Sequence, residues 1–251
     1  MKIGIMDSGV GGLTVLKECL VRLPEHEYIY YADSKHAPYG TKTRDEVYEL
    51  TANAVDFLVG LGCEIVVLAC NTATSAAAVG LRLKYTIPIV GMEPAIKPAL
   101  EFAQNRRVLV TATELTLSQP KFTELIEKLD VNSRVDFLPL TELVEFAEQG
   151  MFDVRVVTAY LEEKLAHLDL DLYGSVVLGC THFPLFKGCF EAVLPFGTAV
   201  VDGSVGTTKR VKEFAKSPSK TPSLSFFLSG EPILEGKFFE RVKRIIAQND
   251  I

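Results

Sequence analysis

Two copies of one short device constrain this chain more than anything else in it. Ile65 to Ala73 reads IVVLACNTA, and Ser175 to Phe183 reads SVVLGCTHF. In each, an apolar run rich in β-branched residues enters a polar corner led by a cysteine: Cys70 in the first and, 110 residues on, Cys180 in the second. Such a run reads as a strand buried on both faces, and the polar triplet falls where that strand ends. In open α/β sheets ligands gather beyond the carboxyl ends of the strands, so both thiols stand where chemistry is usually done. Matched settings point to two related catalytic groups rather than one nucleophile and a spare.

The rest of the chain repeats strand and helix around these corners. Ile3–Met6 predicts a first strand, followed at once by Asp7-Ser8-Gly9-Val10-Gly11-Gly12 and a helix with Leu13, Leu16, Leu20 and Leu23 on one face. This glycine-rich turn lacks the Gly-Lys-Ser/Thr end of a nucleotide loop and the dinucleotide pattern; its free amides suit an anion, with Asp7 and Ser8 on its lip. Tyr28–Ala32 predicts a strand leading into the loop Asp33–Gly40. Thr43–Leu61 predicts a long amphipathic helix capped by Gly62, and helix resumes over Ser75–Tyr85. Ile87–Val90 predicts a strand delivering Glu93 and Pro94, with a helix over Ala95–Asn105.

Arg107–Thr111 restarts the scheme about 105 residues after the first strand. Helices are expected over Gln119–Leu129, Thr141–Gln149 and Val154–His167, and strands over Val135–Leu138, Ser175–Leu178 and Thr198–Val201. A helix over Val205–Ala215, an edge strand over Leu224–Leu228 and a terminal helix over Gly236–Gln248 complete the reading. The pattern predicts an α/β protein of two similar lobes, each a mostly parallel sheet flanked by helices and related by internal duplication. Residues 1–94, joined by 208–251, form the expected first lobe and residues 95–207 the second, with the active site in the cleft between them.

Composition narrows the class. A hydrophobic content of 48% excludes a disordered chain, no apolar run reaches the length of a membrane span, and Met1 opens directly into a strand, so a cytoplasmic protein is expected. The net charge of -6, with no basic stripe, argues against nucleic acid as a partner. Five cysteines without a CxxC pair imply free thiols, and four histidines leave little material for a metal site; neither a metal nor a cofactor is expected.

Free thiols titrate near pH 8.5, so a cysteine base needs help, and a helix N-terminus supplies amides and a positive dipole end. Both Cys70 and Cys180 are expected there. His182 is the candidate partner of Cys180, and Asp7 that of Cys70. Cys19, Cys63 and Cys189 sit beside helical apolar positions and read as small core hydrophobes. The pair Cys180 and His182 would also suit acyl transfer, a reaction that has no use for a second matched thiol. Two opposed thiols are what a reaction needs when a proton leaves one face of a carbon and returns to the other.

DSGVGG at Asp7–Gly12, YYADSKHAPYG at Tyr30–Gly40, ACNTA at Ala69–Ala73 and GCTHFPL at Gly179–Leu185 together resemble the glutamate racemases of the aspartate/glutamate racemase family, over nearly the whole length. The resemblance implies cofactor-independent interconversion of L- and D-glutamate, supplying D-glutamate for peptidoglycan. It implies that Cys70 acts on D-glutamate and Cys180 on L-glutamate, assisted by Asp7 and His182. Glu148, a solvated helix residue by pattern alone, becomes by resemblance the group that orients His182. Asn71, Thr72 and Thr181 are implied to hold the α-carboxylate, Ser8, Tyr39 and Gly40 the side-chain carboxylate, and Asp7 the ammonium, with Pro38, Thr113 and His182 also at the substrate. A homodimer is implied as well. The segment from Ala112 to Phe122 departs from the family pattern, having Ala112-Thr113 where Gly-Thr is usual. The competing readings are racemisation of a related amino acid such as aspartate and a non-enzymatic amino-acid binding protein.

Overall fold

The computed structural model describes residues 1–92, 95–118, 127, 134–236, 240 and 242. Glu93, Pro94, most of the expected helix over 119–129 and nearly all of the terminal helix lie outside the described residues. From the amino terminus run β1 (Lys2–Asp7), α1 (Leu13–Arg22), β2 (Glu27–Ala32), α2 (Arg44–Gly60), β3 (Ile65–Leu68), α3 (Asn71–Lys84) and β4 (Ile89–Gly91). Then come α4 (Ile96–Ala103), β5 (Arg107–Ala112), the helical turn α5 (Glu114–Leu117), β6 (Val135–Pro139), α6 (Glu142–Gln149), α7 (Val154–Leu165) and β7 (Tyr173–Leu178). The chain closes with α8 (Lys187–Val193), β8 (Ala199–Asp202), α9 (Ser204–Phe214), β9 (Ser223–Leu228) and β10 (Glu231–Pro232).

The strands make two sheets, ordered β10-β9-β2-β1-β3-β4 and β6-β5-β7-β8. Aligning β1 with β5, β2 with β6, β3 with β7 and β4 with β8 turns the core of the first order into the second, and every pairing among these eight strands is parallel. The internal repeat read from the two cysteine corners is therefore present in the topology: Cys70 follows β3 and Cys180 follows its counterpart β7. All four residues of β3 and all six of β7 are buried, as expected of parallel strands covered on both faces. Burying each aliphatic side chain contributes about 1.5–3 kcal/mol, so these strands fix the cysteine corners more firmly than any single hydrogen bond at about 1 kcal/mol.

Local signals set the helix ends. Thr43 and Glu46 cap α2 reciprocally: the Thr43 hydroxyl accepts from the Glu46 amide, and the Glu46 carboxylate accepts from the Thr43 amide at 2.8 Å. Gly150 ends α6 at φ 72°, a left-handed turn that a side chain would resist. The helix after Cys70 begins at Asn71, four residues before Ser75, because Cys70 itself serves as its N-cap. The expected edge strand β9 is interior instead. It pairs in parallel with β2, and β10 folds back antiparallel to take the edge, through a turn with Ser229 and Gly230 at positive φ.

One apolar cluster runs from Ile3, Leu16 and Val67 through Leu109 and Leu143 to Phe183 and Phe190, so the two sheets share a core. Helix α9 packs on α1, β3 and β4, with Cys19 Sγ 3.5 Å from Thr208 Oγ1. Cys19, Cys63 and Cys189 are buried free thiols, as their apolar settings predicted. Among the described residues no helix is long and apolar enough to cross a membrane.

Burial pushes the Cys19 thiol up to about 11 and Cys63 up to about 12, against 9.0 ordinarily. Above pH 9 the unfolded chain gives up protons that the folded chain keeps, so stability is full below that value and falls as pH rises toward 11. Urea midpoints measured between about pH 8 and about pH 10.5 are expected to fall, and to fall less steeply in Cys19→Ala.

Candidate active site

The residues singled out in the sequence converge at the carboxyl ends of β1, β3, β5 and β7. Asp7 ends β1 fully buried, and its Oδ1 accepts from the Gly9 amide at 2.9 Å. Its Oδ2 accepts from Thr181 Oγ1 at 3.1 Å, tying the first cysteine's lobe to the corner that follows β7. Asp7 makes no hydrogen bond to Cys70, the partner expected for it; the thiol is instead served by Ser8, whose Oγ donates at 3.6 Å, and by the Ala73 amide at 3.4 Å.

The two thiols differ in their surroundings. Cys70 caps a fourteen-residue helix and receives an amide from its first turn, yet burial, then the charge of Asp7, outweigh that help and push the thiol up to about 12. Cys180 is not at an α-helix N-terminus. Pro184 holds the chain in a tight 3-10 turn over Phe183–Phe186 before α8 begins, so no long helix dipole points at this sulfur. It has a histidine instead: His182 Nδ1 lies 3.6 Å from Cys180 Sγ, and Nε2 lies 2.7 Å from Glu148 Oε1. Burial alone would push the imidazole down, but Cys180 and Glu148 hold it well above its ordinary value. Glu148 also accepts from the Val10 amide at 2.8 Å, so it is a tie between lobes rather than the solvated residue its helical position implies.

Around the thiols lie further buried polar groups. Asn71 is buried, and its Nδ2 has no hydrogen-bond partner, a donor available to an anion. Thr72, Thr113 and Thr116 bring three buried hydroxyls within 3.0–3.3 Å of one another, joining the start of α3 to the turn after β5. Thr113, which follows Ala112, is thus tied by its hydroxyl to Thr72 and Thr116. Gly40 lies against Thr113, where an added Cβ would come within 2.9 Å of that side chain. The Ala37–Pro38 bond is cis, and the Tyr39 side chain that follows is buried. The Tyr39 hydroxyl donates to Asp33 Oδ2 at 2.7 Å, a partner sequence reasoning missed because Asp33 reads as an ordinary loop residue. Among the described residues no group of three or more His, Cys, Asp or Glu could hold a metal ion.

Fold and site together define an α/β protein of two mostly parallel sheets with buried thiols paired at equivalent strand ends. The model of the Asp/Glu/Hydantoin racemase family matches residues 3–208. Glutamate racemase of Halothermothrix orenii is 47% identical over 237 residues, covering 92% of this chain and 94% of that protein. Escherichia coli glutamate racemase, solved with L-glutamate and the activator UDP-MurNAc-Ala, superposes with a TM-score of 0.84 at 30% identity, covering 97% of this chain and 94% of that one. The Francisella tularensis enzyme, solved with D-glutamate, gives 0.82 at 26% identity, covering 98% and 94%. This chain belongs to the aspartate/glutamate racemase family, and so to the isomerases.

Gly9 shows how tightly the site is assembled. A Cβ added there would sit 1.7 Å from Glu148 Oε1, the far end of a flexible side chain, so the fold survives while the carboxylate is driven off His182. Gly9→Ala is expected to keep its circular dichroism spectrum and lose at least about tenfold in kcat.

Proposed function

We propose that this chain interconverts L- and D-glutamate by a two-base proton transfer at Cα, with Cys70 acting on D-glutamate and Cys180 on L-glutamate. The observation that carries the reading is the pair of thiols at equivalent ends of β3 and β7, each with its own hydrogen-bond partner. One sulfur, as the thiolate, takes the α-proton while the other, as the thiol on the opposite face, delivers its own and is left as the thiolate; the charge developing on Cα is never left without a proton donor. Asn71 Nδ2, Thr72 and Thr181 bind the α-carboxylate, and Ser8, Tyr39 and Gly40 the side-chain carboxylate, with Pro38 and Thr113 also at the substrate. Asp7 takes the ammonium. That contact also offsets the Asp7 charge, which is part of what holds the Cys70 proton on.

The second half-site works differently. His182, kept protonated beside Glu148, shares its Nδ1 proton with Cys180 and so stands in for the amide that Cys70 receives. Burial of both thiols keeps water from the reacting carbon. No cofactor enters this scheme. The proposal extends to lobes of residues 1–94 with 208–251 and of 95–207, which the repeated strand–helix pattern supports, to a cytoplasmic location, which the composition supports, and to a homodimer and supply of D-glutamate for peptidoglycan, which the sequence resemblance supports.

Proton NMR in D₂O with L- or D-glutamate tests the reaction. Deuterium is expected to enter Cα with inversion, and Cys70→Ala and Cys180→Ala are each expected to lose net racemisation by at least about 100-fold. A variant racemising at the wild-type rate would overturn the two-thiol scheme, and exchange of aspartate alone would overturn the substrate. Glu148→Gln removes one of the groups that raise His182, so the imidazolium is lost at lower pH. The alkaline limb of kcat/KM is expected to move to lower pH in that variant.

A further inference from the structure

We propose that Tyr30 is a positioning residue for the second half-site: its buried hydroxyl holds the Gly9–Val10 peptide in the orientation that presents the Val10 amide to Glu148. The inference rests on the two-base reading above and concerns a residue to which neither motif nor resemblance gave a role. Tyr30 lies on β2, fully buried, its ring against Phe226 of β9 with 6.1 Å between centroids. Its hydroxyl donates to the Gly9 carbonyl at 2.8 Å.

That carbonyl and the Val10 N–H are the two ends of one peptide unit. The unit is planar, with the two groups pointing in opposite directions, so fixing one end fixes the other. The Val10 end donates to Glu148 Oε1 at 2.8 Å, the same oxygen that faces His182 Nε2 at 2.7 Å, and His182 Nδ1 in turn faces Cys180. Gly9 carries no Cβ, and without the Tyr30 hydrogen bond its peptide would rotate at little steric cost. A hydroxyl on the first sheet thus sets the geometry of a thiol on the second. Burial, then the nearby charges of Asp7 and Glu148, hold the Tyr30 proton on well above its ordinary range, consistent with the hydroxyl acting as a donor.

The same strand supplies a control. Tyr28, two residues earlier, is equally buried and donates to the Leu23 carbonyl at 2.8 Å, away from the site. Losing the Tyr28 hydroxyl removes its contacts to the Leu23 carbonyl and, at 3.3 Å, the Cys19 carbonyl, and losing that of Tyr30 removes its bond to the Gly9 carbonyl, but of the two only Tyr30 reaches Glu148 through the intervening peptide.

Steady-state racemisation of glutamate would be compared for wild type, Tyr30→Phe, Tyr28→Phe, Glu148→Gln and the Tyr30→Phe/Glu148→Gln double variant. Tyr30→Phe is expected to lower kcat about tenfold with KM within about twofold, and to move the alkaline limb of the pH profile in the direction Glu148→Gln moves it. In the Glu148→Gln background it is expected to cost nothing further, and Tyr28→Phe is expected to leave kcat and the pH profile unchanged. An equal loss with Glu148→Gln present, an equal loss in Tyr28→Phe, undiminished kcat in Tyr30→Phe, or a Tyr30→Phe chain that does not fold would each overturn the inference. A wild type inert toward glutamate would overturn the reaction assignment and this inference with it. A wild type that racemises glutamate beside an unimpaired Tyr30→Phe would overturn the inference alone.

Discussion

The site hangs on one carboxylate oxygen. Glu148 Oε1, carried by α6, accepts from an amide of the turn after β1 and meets the imidazole beside Cys180. Removing the carboxylate would leave a buried amide and a buried imidazole without their partner, which costs more than the hydrogen bonds themselves contribute. The Asp7–Thr181 contact joins the same two regions a few residues away. Much of the precision of the paired-thiol arrangement therefore comes from contacts that cross between the sheets.

Duplication explains the symmetry of the scaffold and the asymmetry of the chemistry. Strand order and direction repeat, and so does the place of each cysteine at a strand end. The backbone just beyond each cysteine does not repeat. Asn71 and Thr72 continue into a regular helix with its amides turned toward sulfur, whereas Pro184 forces a tighter turn and leaves the task to His182. Under the proposed two-base reading, a reaction that acts on opposite faces of one carbon has to treat two hands of substrate, and unequal half-sites on an equal frame suit that demand.

Much of this was legible in the sequence, for physical reasons. Parallel strands buried on both faces leave continuous β-branched runs, so β1, β3, β5 and β7 and the turns after them could be read directly. The partners of the turns could not. Glu148 sits 34 residues before His182 on a helix whose pattern shows only which side is apolar, and the meeting depends on how two lobes pack. Asp33 looks like loop punctuation, and nothing local reveals that Tyr39 turns back onto it. The interior place of β9 was missed because a short apolar run after a Pro/Ser-rich loop carries no mark of which strand it will join. Cys180 was expected at a helix start because its corner matches that of Cys70; the proline that alters the turn lies four residues on.

The position of β9 governs the order in which the molecule can be completed on the ribosome. The second sheet, β5 through β8, is contiguous along the chain and has all its strands once about 200 residues are out. The first sheet has its opening strands earliest, yet β2 remains an open edge until Ser223–Leu228 arrives to pair with Glu27–Ala32. Until then a row of unpaired backbone groups is exposed on a nascent chain, the kind of edge that invites association with other strands. The lobe begun first is thus completed only after every strand of the second sheet has been made, and the β2 edge stays open throughout that interval.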